Sequence, residues 1–117
     1  MHKVYTPSEA SALPLHDCEL LSIHILPRED GNTDVAITLA GEDGGEICLR
    51  LVSCRIIEMR YLGMLSDREG FDRWHVLSSS PILRELGAEG LIGHNNISFN
   101  GGSHIQAVTN EIYVTGI

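Results

Sequence analysis

The stretch DVAITLAGEDGGEICLRLV, residues 34–52, decides how this chain folds. From Asp34 to Ala40 the apolar Val35, Ile37 and Leu39 alternate with smaller or polar residues. From Glu46 to Val52, Ile47, Leu49 and Leu51 do the same, while Glu46 and Arg50 take the other side. A period of two is the mark of a strand with one buried face. Between the two runs lies GEDGG, residues 41–45, a cluster of turn-forming residues, so the segment predicts an antiparallel hairpin.

The same grammar extends outward. Upstream, Glu19 to Leu26 reads as a strand with Leu21, Ile23 and Ile25 on one face and Leu20, Ser22, His24 and Leu26 on the other; PREDGN, residues 27–32, then turns the chain. Downstream, Ser53 to Leu62 is apolar and β-branched, but consecutive Ile56 and Ile57 break the alternation, which predicts a bulge or a strand covered on both faces. Ser66 and Glu69 have capping-box spacing, yet Gly70 follows at once, so a turn leading into a strand from Phe71 to Leu77 is expected. Ser80-Pro81 with Gly87 brackets one short helix, with a serine cap, a proline in the first turn and a glycine after the last. Gly87, Gly90 and Gly93 mark a loop. Asn100-Gly101-Gly102-Ser103 joins runs at Ile97–Phe99 and His104–Val108, and Glu111 to Thr115 closes the pattern. Roughly eight short strands at turn-marked intervals predict a mainly β fold, an antiparallel β-sandwich or strongly curved sheet with one short helix. Residues 1–14 lack periodicity and are expected to be an N-terminal arm; residues 15–117 read as a single β-rich domain.

Composition narrows the function classes. The 117 residues carry 16 acidic and 8 basic side chains, a formal charge of −8 that repels a phosphate backbone. Arg50, Arg55 and Arg60 are interleaved with apolar residues and lack an aromatic platform, so nucleic acid is not expected as a partner. A protein partner with a basic surface fits the charge better, because the acidic field would steer it in. Three cysteines, Cys18, Cys48 and Cys54, include no CxxC pair; reduced thiols in the cytoplasm of a bacterium are the simplest reading. No run approaches a membrane span, and no membrane association or cofactor is expected.

Taken in order, LHDCELLSI, then DVAITLAGEDGGEICLRLVSC, FDRWHVLSSSPILREL and AVTNEIYVTG resemble a group of small bacterial β-rich domains of unknown function. Those domains open with a Leu/Phe-His-Asp segment before the first strand, and some are associated with toxin-immunity loci. The resemblance runs from Leu13 nearly to the end of the chain. It implies a cytosolic, non-catalytic domain that binds and neutralises a partner protein; no catalytic residue carries over from it.

Two local groups invite a chemical reading. His16-Asp17-Cys18 has reactive residue types, but adjacent strand residues point to opposite faces, so His16 is badly placed to activate the thiol. The residues' local habits instead predict a structural turn, His16 and Asp17 bonding backbone and Cys18 buried as a small apolar side chain. Trp74, the one tryptophan, with Asp72, Arg73, His75 and Tyr61 of the preceding strand, has the composition of a protein–protein hot spot. The leading expectation is thus a small non-enzymatic binding domain, immunity-like and homodimeric through a sheet edge. The alternative is a metal-dependent or cysteine hydrolase using His16, Asp17 and a later histidine, His75, His94 or His104, although no HxH or HExxH spacing fixes a metal site.

Overall fold

The computed structural model describes residues 2–55, 57–60 and 69–117. In chain order its elements are β1 (Lys3–Tyr5), α1 (Pro7–Ser11), β2 (Glu19–Pro27), β3 (Thr33–Ala40), β4 (Glu46–Cys54), β5 (Ile57–Arg60), β6 (Phe71–Leu77), α2 (Pro81–Glu85), β7 (Gly93–Phe99), β8 (His104–Thr109) and β9 (Glu111–Thr115). The strands form two antiparallel sheets. Sheet 1 has the order β1-β9-β4-β3-β2 and sheet 2 the order β5-β8-β7-β6.

The hairpin read from residues 34–52 forms as expected, with Ile37 opposite Leu49 and Leu39 opposite Ile47. Its apolar face meets that of sheet 2. Val35, Ile37, Leu39, Leu49, Leu51 and Ile112 are fully buried against Trp74, Ile97, Phe99 and Ile105 of the other sheet. Burial of each large side chain is worth about 1.5–3 kcal/mol, and this shared interior is what holds the sheets together. Phe71 and Phe99 meet edge to face at 5.9 Å within it.

The irregularity at Ser53–Leu62 has a topological cause. The chain leaves sheet 1 at Cys54 and enters sheet 2 at Ile57, with the Arg55 amide bonded to the Val108 carbonyl at the crossing (3.0 Å). Before the crossing β4 bulges against β3, and Ser53 adopts a positive φ of 53°. Tyr61, Ser66 and Ile56 lie outside the described residues.

Two expectations are corrected. The N-terminal segment is not a featureless arm: β1 adds an edge strand to sheet 1, with Val4 opposite Tyr113, and α1 follows it. Thr6 and Glu9 form a reciprocal capping box and Pro7 starts the helix, the same signals that announce α2. In β2, a register shift between Leu20 and Ser22 places Leu20 and Ile23 in the core and leaves Ile25 at 42% exposure, so strict alternation from Leu21 does not hold.

Helix α2 lies on the outer face of sheet 2. Leu83 and Ala88 cover Val108 there, flanked by Ile82, Leu86 and Ile92, a small second core. Ser80 caps the helix through its side chain, which accepts from the Leu83 amide (3.2 Å), and Gly87 supplies the positive φ (64°) that ends it.

Candidate functional site

The segment His16-Asp17-Cys18 sits at one end of the sandwich, where the chain turns into β2. Backbone alone makes the turn: the Cys18 amide donates to the Leu15 carbonyl and the Cys18 carbonyl accepts from Phe71, both at 2.9 Å. Cys18 is buried, as expected. The turn falls at His16 and Asp17 as expected, but among the described residues no backbone group partners their side chains. Their side chains are 75% and 59% exposed and face each other at 3.3 Å. They project because the Leu15–Cys18 bond already satisfies the turn.

The two side chains line a concavity of about 420 Å³, together with Pro14, Ile47, Glu42 and Asp43. The β3–β4 hairpin supplies the last two: Gly44 takes a positive φ of 86° and Asp43 Oδ1 accepts from the Gly45 amide at 2.9 Å, fixing the loop over the end of the sheet. Among the described residues, no lysine or arginine lines this concavity. Burial, then the charges of Asp17, Asp43 and Glu42, push the Cys18 thiol up. That is the opposite of what a nucleophilic cysteine needs. The chemistry instead suits a cation with an apolar stem: Pro14 and Ile47 offer carbon surface, and three carboxylates offer charge.

The later histidines lie elsewhere. His94 is buried under α2, its Nδ1 2.9 Å from Ser80 Oγ and its Nε2 2.9 Å from Gln106 Oε1. An amide oxygen can only accept, so Nε2–H donates to Gln106 Oε1, and Nδ1 is left to the Ser80 hydroxyl. The connectivity is that of a nucleophile, base and orienting group, but Ser80 Oγ also accepts from Leu83 and is itself buried. The cluster therefore ties α2 to the sheet. His104 lies opposite Ser98 and Arg60, whereas His94 lies opposite Val108. Four residue steps along β8 separate those positions, about 13 Å. Among the described residues, no three His, Cys, Asp or Glu side chains are placed to hold a metal ion. Among the described residues, the lining around His16 and Asp17 includes none of His75, His94 and His104.

The Asp72–His75 segment divides between two faces. Trp74 turns inward, 6% exposed, and its indole Nε1 donates to Asn95 Oδ1 at 3.0 Å. It is a core residue rather than an exposed anchor, because the alternation that turns Arg73 and His75 outward turns Trp74 in. Asp72 accepts from Ser98 Oγ (3.2 Å) and stands 3.7 Å from Arg73 Nε on the outer face of sheet 2.

The sequence reading missed a second assembly, on the outer face of sheet 1. Asp34 is 1% exposed although it occupies an outward position of β3. Its Oδ1 accepts from the Ser53 amide (2.8 Å) and Arg28 Nη1 (3.1 Å), and its Oδ2 from Arg50 Nε (2.7 Å). Burial opposes the charge, but these donors outweigh it and hold the carboxyl below its usual range. Beside them the His2 and Tyr113 rings stack at 4.1 Å. An outward aspartate opening an otherwise regular strand was the available signal, but its partners come from the β2–β3 turn and from β4.

Comparison of the chain with protein-family models, with curated proteins and with solved structures finds no match.

Proposed function

We propose that this chain is a non-enzymatic binding domain that neutralises a basic partner protein by direct contact, the immunity-like role its N-terminal Leu-His-Asp segment suggests. The observation that carries the reading is the 420 Å³ concavity, whose ionisable rim is His16, Asp17, Glu42 and Asp43 without a counter-cation, on a chain of charge −8. A lysine or arginine of the partner lays its methylenes along Pro14 and Ile47 and its head group among the carboxylates. Long-range attraction raises the encounter rate, and the desolvated pair sets the register. Cys18, Cys48 and Cys54 are free thiols, which suits action in the reducing cytoplasm.

The test is co-expression with the product of the adjacent gene in the source genome. Neutralisation of a toxic neighbour, lost in a folded Asp17→Asn, Glu42→Gln, Asp43→Asn triple variant, is the expected result. Binding should weaken by about tenfold or more between low and physiological salt. A neighbour that is neither toxic nor bound, or a triple variant that neutralises as well as the parent chain, would overturn the reading.

A further inference from the structure

The outer face of sheet 1 holds a second cavity, of about 340 Å³, whose charged lining is two arginines and one aspartate. Arg28, Arg50, His2 and Tyr113 line it, with Cys48 and Thr115. Register explains the grouping. Arg50 lies opposite Tyr113 and Cys48 opposite Thr115 on alternate rungs of β4 and β9, with the inward Leu49–Val114 pair between them, so all four share one face. Arg28 reaches in from the turn after β2, and His2 from the start of the chain onto the Tyr113 ring.

The lining has two guanidiniums against one carboxylate, Asp34, and that carboxylate is beneath the surface with both oxygens engaged. Asp34 thus aims both arginines and is not itself presented; Arg28 also donates its Nε to Asp30 Oδ2 at 3.3 Å, a carboxylate outside the lining, which leaves Nη2 as its outward donor. Arg50 spends only Nε on it. Among the described residues, no acceptor takes the Arg50 Nη groups or Arg28 Nη2, and the two side chains remain 45% and 37% exposed. A paired guanidinium held by a buried carboxylate loses little side-chain freedom on meeting a ligand, and its fork matches two oxygens of a planar or tetrahedral anion. The neighbouring Glu111 carboxylate pushes the Tyr113 phenol up; Glu111 does not line the cavity. Of the three described cavities, one has no charged lining residue and one is acidic, so this is the one that arginines line.

We propose that this cavity is a binding site for a small oxyanion, a carboxylate or a phosphate, gripped by Arg28 and Arg50 with Asp34 as the positioning residue. It is independent of the acidic end and stands or falls separately from the partner-binding reading.

Cys48 provides a direct readout. It lines the cavity and is half-buried, whereas Cys18 and Cys54 are 4% and 2% exposed. In the native protein, alkylation of Cys48 by iodoacetamide is expected to slow saturably as inorganic phosphate or succinate is added, with half-effect on the order of 1 mM, and not with chloride at equal ionic strength. Protection by phosphate alone or by succinate alone supports the site and identifies its preferred oxyanion. Arg50→Gln should weaken protection at least tenfold, with Arg28→Gln as the second variant if the first fails to fold; Arg73→Gln, on the other sheet, should leave it unchanged. Equal slowing by chloride, absence of protection by either oxyanion, or full protection in the folded Arg50→Gln or Arg28→Gln chain would overturn the proposal.

Discussion

Trp74 and Asn95 meet inside the sandwich, the indole N–H donating to the Asn95 side-chain oxygen at 3.0 Å with both residues buried. The Asn95 Nδ2 faces the carbonyls of Ala107 (3.2 Å), Gly93 (3.3 Å) and Thr109 (3.4 Å), so one amide links β6, β7 and β8. A buried amide at 0% exposure is tolerated because every polar atom has a partner.

Replacing Asn95 with Ala strands the indole donor in the core and should cost about 2–3 kcal/mol. Asn95→Asp should cost more, since a carboxylate cannot donate to the three carbonyls. Urea unfolding followed by the fluorescence of Trp74 measures both, and the emission maximum reports on whether the indole remains buried.

Asp34 gives the fold a specific acid sensitivity. Its folded pKa is below its unfolded value of about 4, so its stabilisation is fully present above that value and is lost as pH falls through the folded pKa. Asp34→Asn should remove this part of the acid limb and cost about 3 kcal/mol at neutral pH, because Arg28, Arg50 and the Ser53 amide lose their charged acceptor. Thermal melts of both chains from neutral pH down to about pH 3 check the slope.

The thiols should separate kinetically. Burial pushes Cys54 up to about 12, ahead of the nearby Asp34 charge, while Cys18 is raised by burial and by its three acidic neighbours. With a thiol-reactive disulfide near pH 8, one equivalent, Cys48, should react in the native state and two only at the rate of global unfolding. Rapid labelling of three equivalents would contradict the burial of Cys18 and Cys54.

Ser80 joins helix capping to the His94 link. Ser80→Ala removes the Leu83 cap and the partner of His94 Nδ1 together, and about 1–2 kcal/mol should be lost. Ser80→Thr keeps the hydroxyl and should recover part of it. Hydrogen exchange should show increased opening confined to α2 and the segment down to Ala88, whose amide bonds the Leu83 carbonyl.

Legibility followed the range of the interactions. The β3–β4 hairpin, the Asn100–Ser103 turn and α2 were readable because alternation, positive-φ glycines and a serine–proline cap act within a few residues. Helix α1 carried the same local code in Thr6-Pro7-Ser8-Glu9, but its brevity and the absence of a periodic run hid it. Around His16 and Asp17 the residue types suggested a turn, and a turn is there. That their side chains leave it for a concavity with Glu42 and Asp43 depended on where the β3–β4 loop packs, some 25 residues away.

By itself, the sequence determined the class of the fold: period-two burial and turn chemistry are short-range, and they permit little besides antiparallel strands facing a shared core. Tertiary structure alone decided how the strands divide into two sheets, that the inward Trp74 finds Asn95 as its partner, and that Arg28 and Arg50 converge on Asp34. Those outcomes rest on partners 6 to 21 residues apart in the chain, brought together by packing of the two sheets and by strand register rather than by any local preference.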